Sequence, residues 1–404
     1  MRVAVIGGGA SGLMCAGFLS LNGNDVDLFE ANEKLGKKLF ITGKGRCNVT
    51  NYCEPNEILN NVVTNSKFLY SSLYSFTSED TINFFENLGV PIKIERGNRA
   101  FPASDKSSDI IKALERFLIK NDVNVYLNNK VIKIEKNNNL FNLITTCGVY
   151  NGYNTTIICT GGKTYSATGS TGDGYNFARK FGHTITDICP GLVPLILADD
   201  FVKSIEGLSL KNVKLIARTG NKTIKELFGE MLFTANGISG PIALSMSSYI
   251  NKLKDVKLFI DFKPALSHDQ LISRIMRDID DNRNSQVSTL IAGLLPKALV
   301  PIVLSKLHYD ATTKNKSLND IQIKSIANLL KDFALNYKSV DKLDFGIITS
   351  GGVNVKEVNP KTMESKIMPG LYFAGEVLDV DALTGGFNLQ IAFSTAYTVA
   401  NSIK

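Results

Sequence analysis

Residues Gly7 to Gly12, a Gly-Gly-Gly-Ala-Ser-Gly run, restrict what this chain can fold into more than any other stretch. The apolar run Arg2–Ile6 before them is too short for a helix, and Leu13, Ala16 and Leu19 after them recur at helical spacing. The order is therefore strand, tight turn, helix. In that context Gly7 makes the turn, Gly9 lets the backbone approach a pyrophosphate, and Gly12 lets the helix lie close to the sheet. The N-terminus of that helix offers free N–H groups and a positive dipole end to phosphates. Asn22-Gly23 closes the helix, a second strand runs Asp25–Phe29, and Glu30 ends it. An acid about 20 residues beyond the glycines is placed to accept hydrogen bonds from an adenosine ribose.

The 404 residues exceed the roughly 250–300 at which a single core stops growing, so two domains are expected. The hydrophobic share of 44% and charged share of 21% are those of a soluble globular protein. Met1 leads straight into a strand with no secretory leader in view. The longest apolar tract, Leu290–Leu304, is interrupted by Pro296, Lys297 and Pro301, so no membrane span and a cytoplasmic location are expected. Six irregularly spaced cysteines and three histidines predict reduced thiols, with neither a disulfide framework nor a metal site. The net charge of +7 suits a phosphate-rich partner such as a dinucleotide or RNA, and equally suits drift in a Lys- and Asn-rich proteome.

The segment Leu35–Asn51, LGKKLFITGKGRCNVTN, has neither helical nor strand period. It reads as a loop that offers backbone N–H groups and the cations Lys37, Lys38, Lys44 and Arg46 to a phosphate. Helices are expected over Thr77–Gly89 and, capped by Ser104, over Asp105–Lys120. Short strands follow at Val123–Leu127, Val131–Ile134, Phe141–Thr145 and Thr155–Cys159, with the Val131 backbone beside an adenine edge and the glycine pair Gly161-Gly162 after Thr160. Gly174–Phe181 reads as a short helix closed by Gly182. The final segment repeats the opening grammar: a strand ending at Gly375-Glu376, then Gly385-Gly386 opening a helix whose N-terminus can stabilise negative charge on a reduced flavin near N1 and O2.

Together these motifs resemble the bacterial aminoacetone oxidase-like family of FAD-dependent oxidoreductases, along nearly the whole chain. The resemblance is carried by Gly7–Gly12 with Glu30, Ile41–Asn51, Arg99–Ser104, Cys159–Gly162 with Thr171–Gly174, Gly182-His183 with Pro190–Leu195, and Met231–Pro241. Its most distinctive part is C-terminal: Thr349–Val353, Asn359–Lys366, Pro369–Asp381 and Gly385–Gln390. It implies an α/β fold: a Rossmann-like FAD-binding domain of glutathione-reductase-like half type, with an inserted β-barrel plus helical domain. The expected division is 1–189 with 346–404 for FAD, and 190–345 as a substrate or cap domain, mainly β over 190–265 and mainly α over 266–337.

It also implies FAD contacts at Gly7, Gly9, Gly12, Glu30, Lys38, Gly45, Arg46 and Val131 on the N-terminal side. On the C-terminal side they fall at Gly161, Glu376, Asp381, Gly386, Asn388 and Leu389. Ala10, Ser11, Ala31, Cys47, Thr160, Gly162, Gly375, Gly385 and Gln390 adjoin these and join the expected cofactor set. Two departures stand out. Ala382 occupies a position where the family tends to have Gly, and Ala235-Asn236 replaces a His-aromatic pair, removing an imidazole from the substrate side.

Members of this family oxidise aminoacetone, reduce a conjugated steroid double bond, or reduce a uridine of large-subunit ribosomal RNA to dihydrouridine. The expectation is a reductase of an activated C=C with that uridine as leading substrate. A small-molecule oxidase or enone reductase, and a flavin-binding RNA assembly factor without turnover, are the alternatives. Pro190–Tyr337 holds no second GxGxxG in a strand–helix context, so NADPH or NADH would dock transiently where the substrate also binds, or electrons come from elsewhere. Three side chains are candidates for the proton. Cys47 reads as a low-pKa thiol or a buried structural one, His183 as an acid or a cap on helix carbonyls, and Tyr165 as a donor or a lid residue.

Overall fold

In the computed structural model, which describes residues 1–310 and 312–403, the chain divides into two compact units, 1–191 with 342–404 and 192–341. Ala311, in the expected insert, and Lys404, in the expected FAD domain, lie outside the described residues.

The first unit is built on a five-stranded parallel sheet. Its elements are β1 (Arg2–Ile6), α1 (Ala10–Leu21), β2 (Asp25–Phe29), α2 (Lys37–Ile41), α3 (Ser107–Lys120), β3 (Asn124–Tyr126), β4 (Thr155–Ile158), α4 (Asp173–Lys180), β5 (Leu371–Phe373) and α5 (Phe387–Ser402). The strand order is β5-β4-β1-β2-β3. The register pairs Ile6 with both Phe29 and Ile158, and Ile158 with Phe373. Four strands therefore end level, and Gly7, Glu30, Cys159-Thr160 and Ala374-Gly375 all emerge along one carboxyl edge, where open α/β sheets bind ligands. Both faces are covered, so β1 and β4 read as continuous apolar or β-branched runs, buried throughout except for Arg2.

Close packing explains the small residues. A Cβ at Gly17 of α1 would lie 2.3 Å from the Phe117 ring of α3. On another side of α1, the Phe18 and Tyr397 rings meet edge to face at 5.0 Å, joining α1 to α5.

Local structure departs from the sequence reading at Leu35–Asn51 and at Asp105, among other places. Leu35–Asn51 is not all loop: Gly36, at φ +67, starts α2, and a 3₁₀ turn follows over Thr42–Gly45. Five helical residues are too few for a period to show. The helix expected from Asp105 begins at Ser107, because Asp105 sits at φ +57 with its carboxylate held by Arg46 and Lys93. The Thr77 cap is as expected, with a reciprocal box to Asp80.

The second unit has a seven-stranded antiparallel sheet whose longest strands are Ser209–Thr219 and Lys222–Thr234. A helix, Pro241–Ile250, interrupts the expected β region, with Ile242, Met246 and Ile250 buried at helical spacing. Helices His268–Asp281, Val287–Leu294, Val300–Leu307 and Asp320–Lys331 follow, before the chain returns to the sheet at Phe333–Leu335. No helix of the described residues is long and apolar enough to cross a membrane.

Candidate cofactor site

The level strand ends assemble a cradle from both ends of the chain. Gly7 takes φ +107, and a Cβ on Gly12 would stand 1.8 Å from the Gly7 carbonyl oxygen. Only glycine lets α1 begin so close to the strand. Gly9 caps α1, no side chain accepts from the helix start, and the space beside Gly9 is open for 4 Å. The first intrahelical bond is Leu13 N–H to Gly9 O at 3.0 Å, so the N–H groups of Ala10, Ser11 and Gly12 have no partner within the helix.

α5 repeats this arrangement. Gly386, at φ +99, caps it without a side-chain bond, and its first intrahelical bond runs from Gln390 N–H to Gly386 O at 3.1 Å. Gly375 joins the two motifs, since a Cβ there would meet Ser11 Oγ at 2.6 Å. Buried Asp381 accepts from Ser350 Oγ at 3.2 Å.

Glu30 is buried and draws the turn together, accepting from Gly8 N–H at 2.7 Å and from Asn32 N–H and Nδ2 at 2.8 and 2.6 Å. Exposed Ala31 follows it. Asn129 N–H donates to the Glu30 carbonyl at 2.9 Å, which brings Val131, two residues on, to the same end of the cradle. Gly161, at φ +70, and Gly162 form the turn after β4; a Cβ on Gly162 would lie 2.2 Å from Thr349 Oγ1.

Several of the residues expected at the cofactor are also engaged with the protein. Arg46 bonds Glu95 at 2.5 Å and Asp105 at 2.6 Å, and its guanidinium lies 4.2 Å from the Phe101 ring centroid. It anchors the glycine loop to the Ile92–Pro102 hairpin, while exposed Lys44 and the loop's backbone N–H groups remain to meet an anion. Lys37 pairs with Glu33 at 2.8 Å. Lys38 Nζ lies 2.8 Å from Glu376 Oε2 and 3.0 Å from Thr164 Oγ1. Gln390 is fully buried with both ends of its amide engaged: Oε1 accepts from Thr50 and Thr81, and Nε2 donates to the Phe76 and Thr77 carbonyls. Asn388 brackets the Ala382 backbone, accepting from its N–H at 3.0 Å and donating to its carbonyl at 2.8 Å. These two side chains hold α5 in place, and half-buried Leu389 lies between them.

The three proton candidates have different surroundings. Cys47 is fully buried, and burial pushes its thiol up to about 12. The His183 backbone N–H caps α4 at the Ala178 carbonyl at 3.0 Å, and its imidazole looks elsewhere: Nε2 meets Ser365 Oγ at 2.7 Å, Nδ1 lies 3.3 Å from Glu357, and the ring packs on Phe373. Burial lowers its pKa despite the Glu357 carboxylate. Tyr165 is half-exposed and sits at φ +55, a conformation that a bulky residue rarely holds outside a constrained site. Its ring centroid is 6.0 Å from Lys38 Nζ.

The cradle fits a dinucleotide. Two uncapped helix starts and the open space beside Gly9 and Gly45 suit phosphate and ring oxygens. The buried Asn48 Oδ1, Asn129 Oδ1 and Thr160 Oγ1, in the segments that form it, have no hydrogen-bond partner among the described residues. Sequence reasoning missed Thr349, which accepts Lys163 N–H at 2.7 Å and donates its own N–H to Glu376 at 2.8 Å. Its only signal was its place in the Thr349–Val353 run.

Residues 1–402 match the model of the HI0933-like protein Rossmann domain. The chain is 31% identical over 402 residues to a 3-dehydro-bile acid delta(4,6)-reductase of Clostridium scindens, covering 98% of this chain and 97% of that one. It is 30% identical over 408 residues to a ribosomal RNA dihydrouridine synthase of Haemophilus influenzae, covering 99% and 98%. The fold is similar to that of the 3-ketosteroid delta1-dehydrogenase of Sterolibacterium denitrificans, at a TM-score of 0.52 and 12% identity over 99% of this chain and 98% of that one.

Proposed function

Since this chain belongs to the HI0933-like family of FAD-dependent oxidoreductases, we propose that it reduces an activated carbon–carbon double bond, with a uridine of large-subunit ribosomal RNA as its substrate. The carrying observation is the single cradle at the carboxyl edge of the sheet, whose two glycine-opened helices suit one FAD. When bound, FAD supplies the hydride through its N5. α1 would hold the pyrophosphate with its free N–H groups, and the start of α5 would hold the ring oxygens. Tyr165, the half-exposed member of the three candidates, would deliver the proton from its hydroxyl. NADPH or NADH serves as a transient donor.

Both kinds of curated relative carry names of double-bond reduction, which favours reductase over oxidase. The basic surplus favours RNA: residues 192–341 carry twenty Lys and Arg against fifteen Asp and Glu, and the rest of the chain 25 against 23. The bile-acid relative supports a small enone as second reading. Anaerobic incubation of the FAD-loaded protein with NADPH and unmodified ribosomal RNA, followed by dihydrouridine mapping, separates the two. Flavin bleaching by NADPH with an unchanged RNA map removes the RNA reading and leaves the enone. No bleaching with either nicotinamide removes the proposed donor.

A further inference from the structure

The positive surplus of residues 192–341 is gathered at one end of their antiparallel sheet. Strand Ser209–Thr219 pairs with Lys222–Thr234 on one side and with Val256–Asp261 on the other. The last two rows set Arg218 beside Thr223 and Lys257, then Thr219 beside Lys222 and Val256. The turn at 220–221 and the turn at 251–255, which leaves helix Pro241–Ile250 for the third strand, therefore lie at the same end. Six cations sit there, Arg218, Lys222, Lys225, Lys252, Lys254 and Lys257, against the single acid Asp255. Everywhere else in 192–341 the charges balance, fourteen Lys and Arg against fourteen Asp and Glu. Drift toward lysine would spread an excess over the whole surface, and here one sheet end holds all of it.

These cations differ in what they already meet. Arg218 pairs with Asp332 at 2.9 Å and lies 4.4 Å from the Phe259 ring centroid, while Lys225 Nζ lies 4.6 Å from the Tyr249 ring centroid. Lys222, Lys254 and Lys257 are exposed and make no salt bridge among the described residues. Lys222 and Lys257 stand on the two strands that flank Ser209–Thr219, so their backbones are about two strand spacings, roughly 10 Å, apart. That is about one Debye length at physiological salt, close enough for the charges to repel. An outside polyanion would relieve the repulsion.

The layout selects among polyanions. Lys257 shares a sheet face with Arg218, whereas Lys225, opposite Ala217, is on the other face, so the cations wrap the end. A flat bilayer meets a single plane, and among the described residues Leu253 is the one large apolar side chain exposed at this end, too little to insert. A nucleic-acid backbone can follow the curve. We propose that this end of the sheet, centred on Lys222, Lys254 and Lys257, grips the phosphate backbone of the RNA substrate. Such contacts position a large RNA without reading its sequence and need not adjoin the reacting base. The assignment rests on the RNA reading given above.

The test compares two triple variants of the full, FAD-loaded chain that lose the same charge. One carries Lys222→Gln, Lys254→Gln and Lys257→Gln at the sheet end; the other carries Lys297→Gln, Lys324→Gln and Lys338→Gln, exposed lysines elsewhere in 192–341. Uptake of FAD by both shows that they fold. Binding of a labelled single-stranded oligouridylate of about 20 nucleotides is read by fluorescence anisotropy between about 50 and 200 mM salt. Each phosphate contact to a single strand releases about 0.7 of a counterion, worth roughly fivefold in affinity at 0.1 M salt. The sheet-end triple is therefore expected to bind about 100-fold more weakly than wild type there, with a logarithmic salt slope smaller by about 2. The second triple is expected to stay within about threefold of wild type, since its charges act only at a distance. Equal weakening by both triples overturns the proposal, as does a sheet-end triple that binds RNA as wild type does. If that triple instead loses only its binding to vesicles of about one-third phosphatidylserine, the surface belongs to a membrane and the proposal falls. Dihydrouridine formation by wild type beside an unchanged affinity of the sheet-end triple rejects this surface and leaves the function standing. Wild type that binds no oligouridylate at the lowest salt overturns the RNA reading as well, a distinct outcome.

Discussion

Lys38 and Glu376, 338 positions apart in the chain, meet with Nζ 3.0 Å from Oε1 and 2.8 Å from Oε2. Glu376 Oε1 also accepts Thr349 N–H at 2.8 Å, and Lys38 also donates to Thr164. One ion pair therefore joins α2, the turn after β4, and the glycine motif after β5. Both side chains are about one-fifth exposed, so losing one partner leaves a charge in a partly dry place. Lys38→Met is expected to cost about 1–2 kcal/mol, between an exposed and a fully buried pair. Lys38→Met with Glu376→Gln is expected to recover part of that loss. A denaturant double-mutant cycle checks it, and strictly additive losses would refute the coupling.

Gly12→Ala is expected to abolish tight FAD uptake. The added methyl would sit 1.8 Å from Gly7 O, a backbone atom that cannot turn aside. Gly9→Ala, with nothing within 4 Å of the new carbon, is expected to fold normally and to weaken FAD only where the methyl meets the pyrophosphate. Circular dichroism and flavin titration of both variants give the comparison.

Tyr165→Phe removes the one half-exposed proton candidate. Turnover on the double-bond substrate is expected to fall by about 10²–10⁴, the usual range for a general acid. Flavin bleaching by the nicotinamide is expected to persist. Stopped-flow measurement of the two half-reactions distinguishes these, and unchanged turnover would move the proton to another group.

His183 is neutral in the folded protein, because burial lowers its pKa. The unfolded chain takes up its proton near 6.5, so between that value and the lowered folded value the unfolded state binds more protons. Stability is therefore expected to fall as pH drops below about 6.5, to level off below the folded pKa, and to show a smaller slope in His183→Gln. Glu357, which faces Nδ1, opposes the shift and limits its size. Melting curves of the two proteins from pH 7.5 to 4.5 supply the slopes.

Cys47 is expected to resist alkylation at neutral pH, since its thiol is fully buried and pushed up to about 12. Cys147 is exposed and is expected to label first. Peptide mapping after brief iodoacetamide treatment, with and without denaturant, reports the order. Prompt native labelling of Cys47 would contradict its burial.

The parallel sheet and its glycine turns were legible because period and turn chemistry act over a few neighbouring residues. Gly7, Gly12 and Gly386 each stand where a Cβ would strike backbone. What remained hidden depends on partners far along the chain. The sequence shows Arg46 as a cation among glycines, and nothing local points to Glu95 and Asp105 as its counter-ions. Gln390 adjoins a cofactor motif, yet its amide is engaged by Thr50, Thr81 and two carbonyls that helix packing brings together. His183 follows a helix-ending glycine, and only the return of the chain at Glu357 and Ser365 decides what its ring meets.

The joining of Lys38 to Glu376 also sets a timetable for synthesis. At roughly 5–20 residues per second, the ribosome adds the carboxylate some 20–70 s after the ammonium. Throughout that interval the nascent chain carries α1 without α5 to cover it. Completion of the nucleotide cradle consequently waits for residues far along the chain, and a polypeptide released before them would emerge with its phosphate-facing half built and its ring-facing half missing.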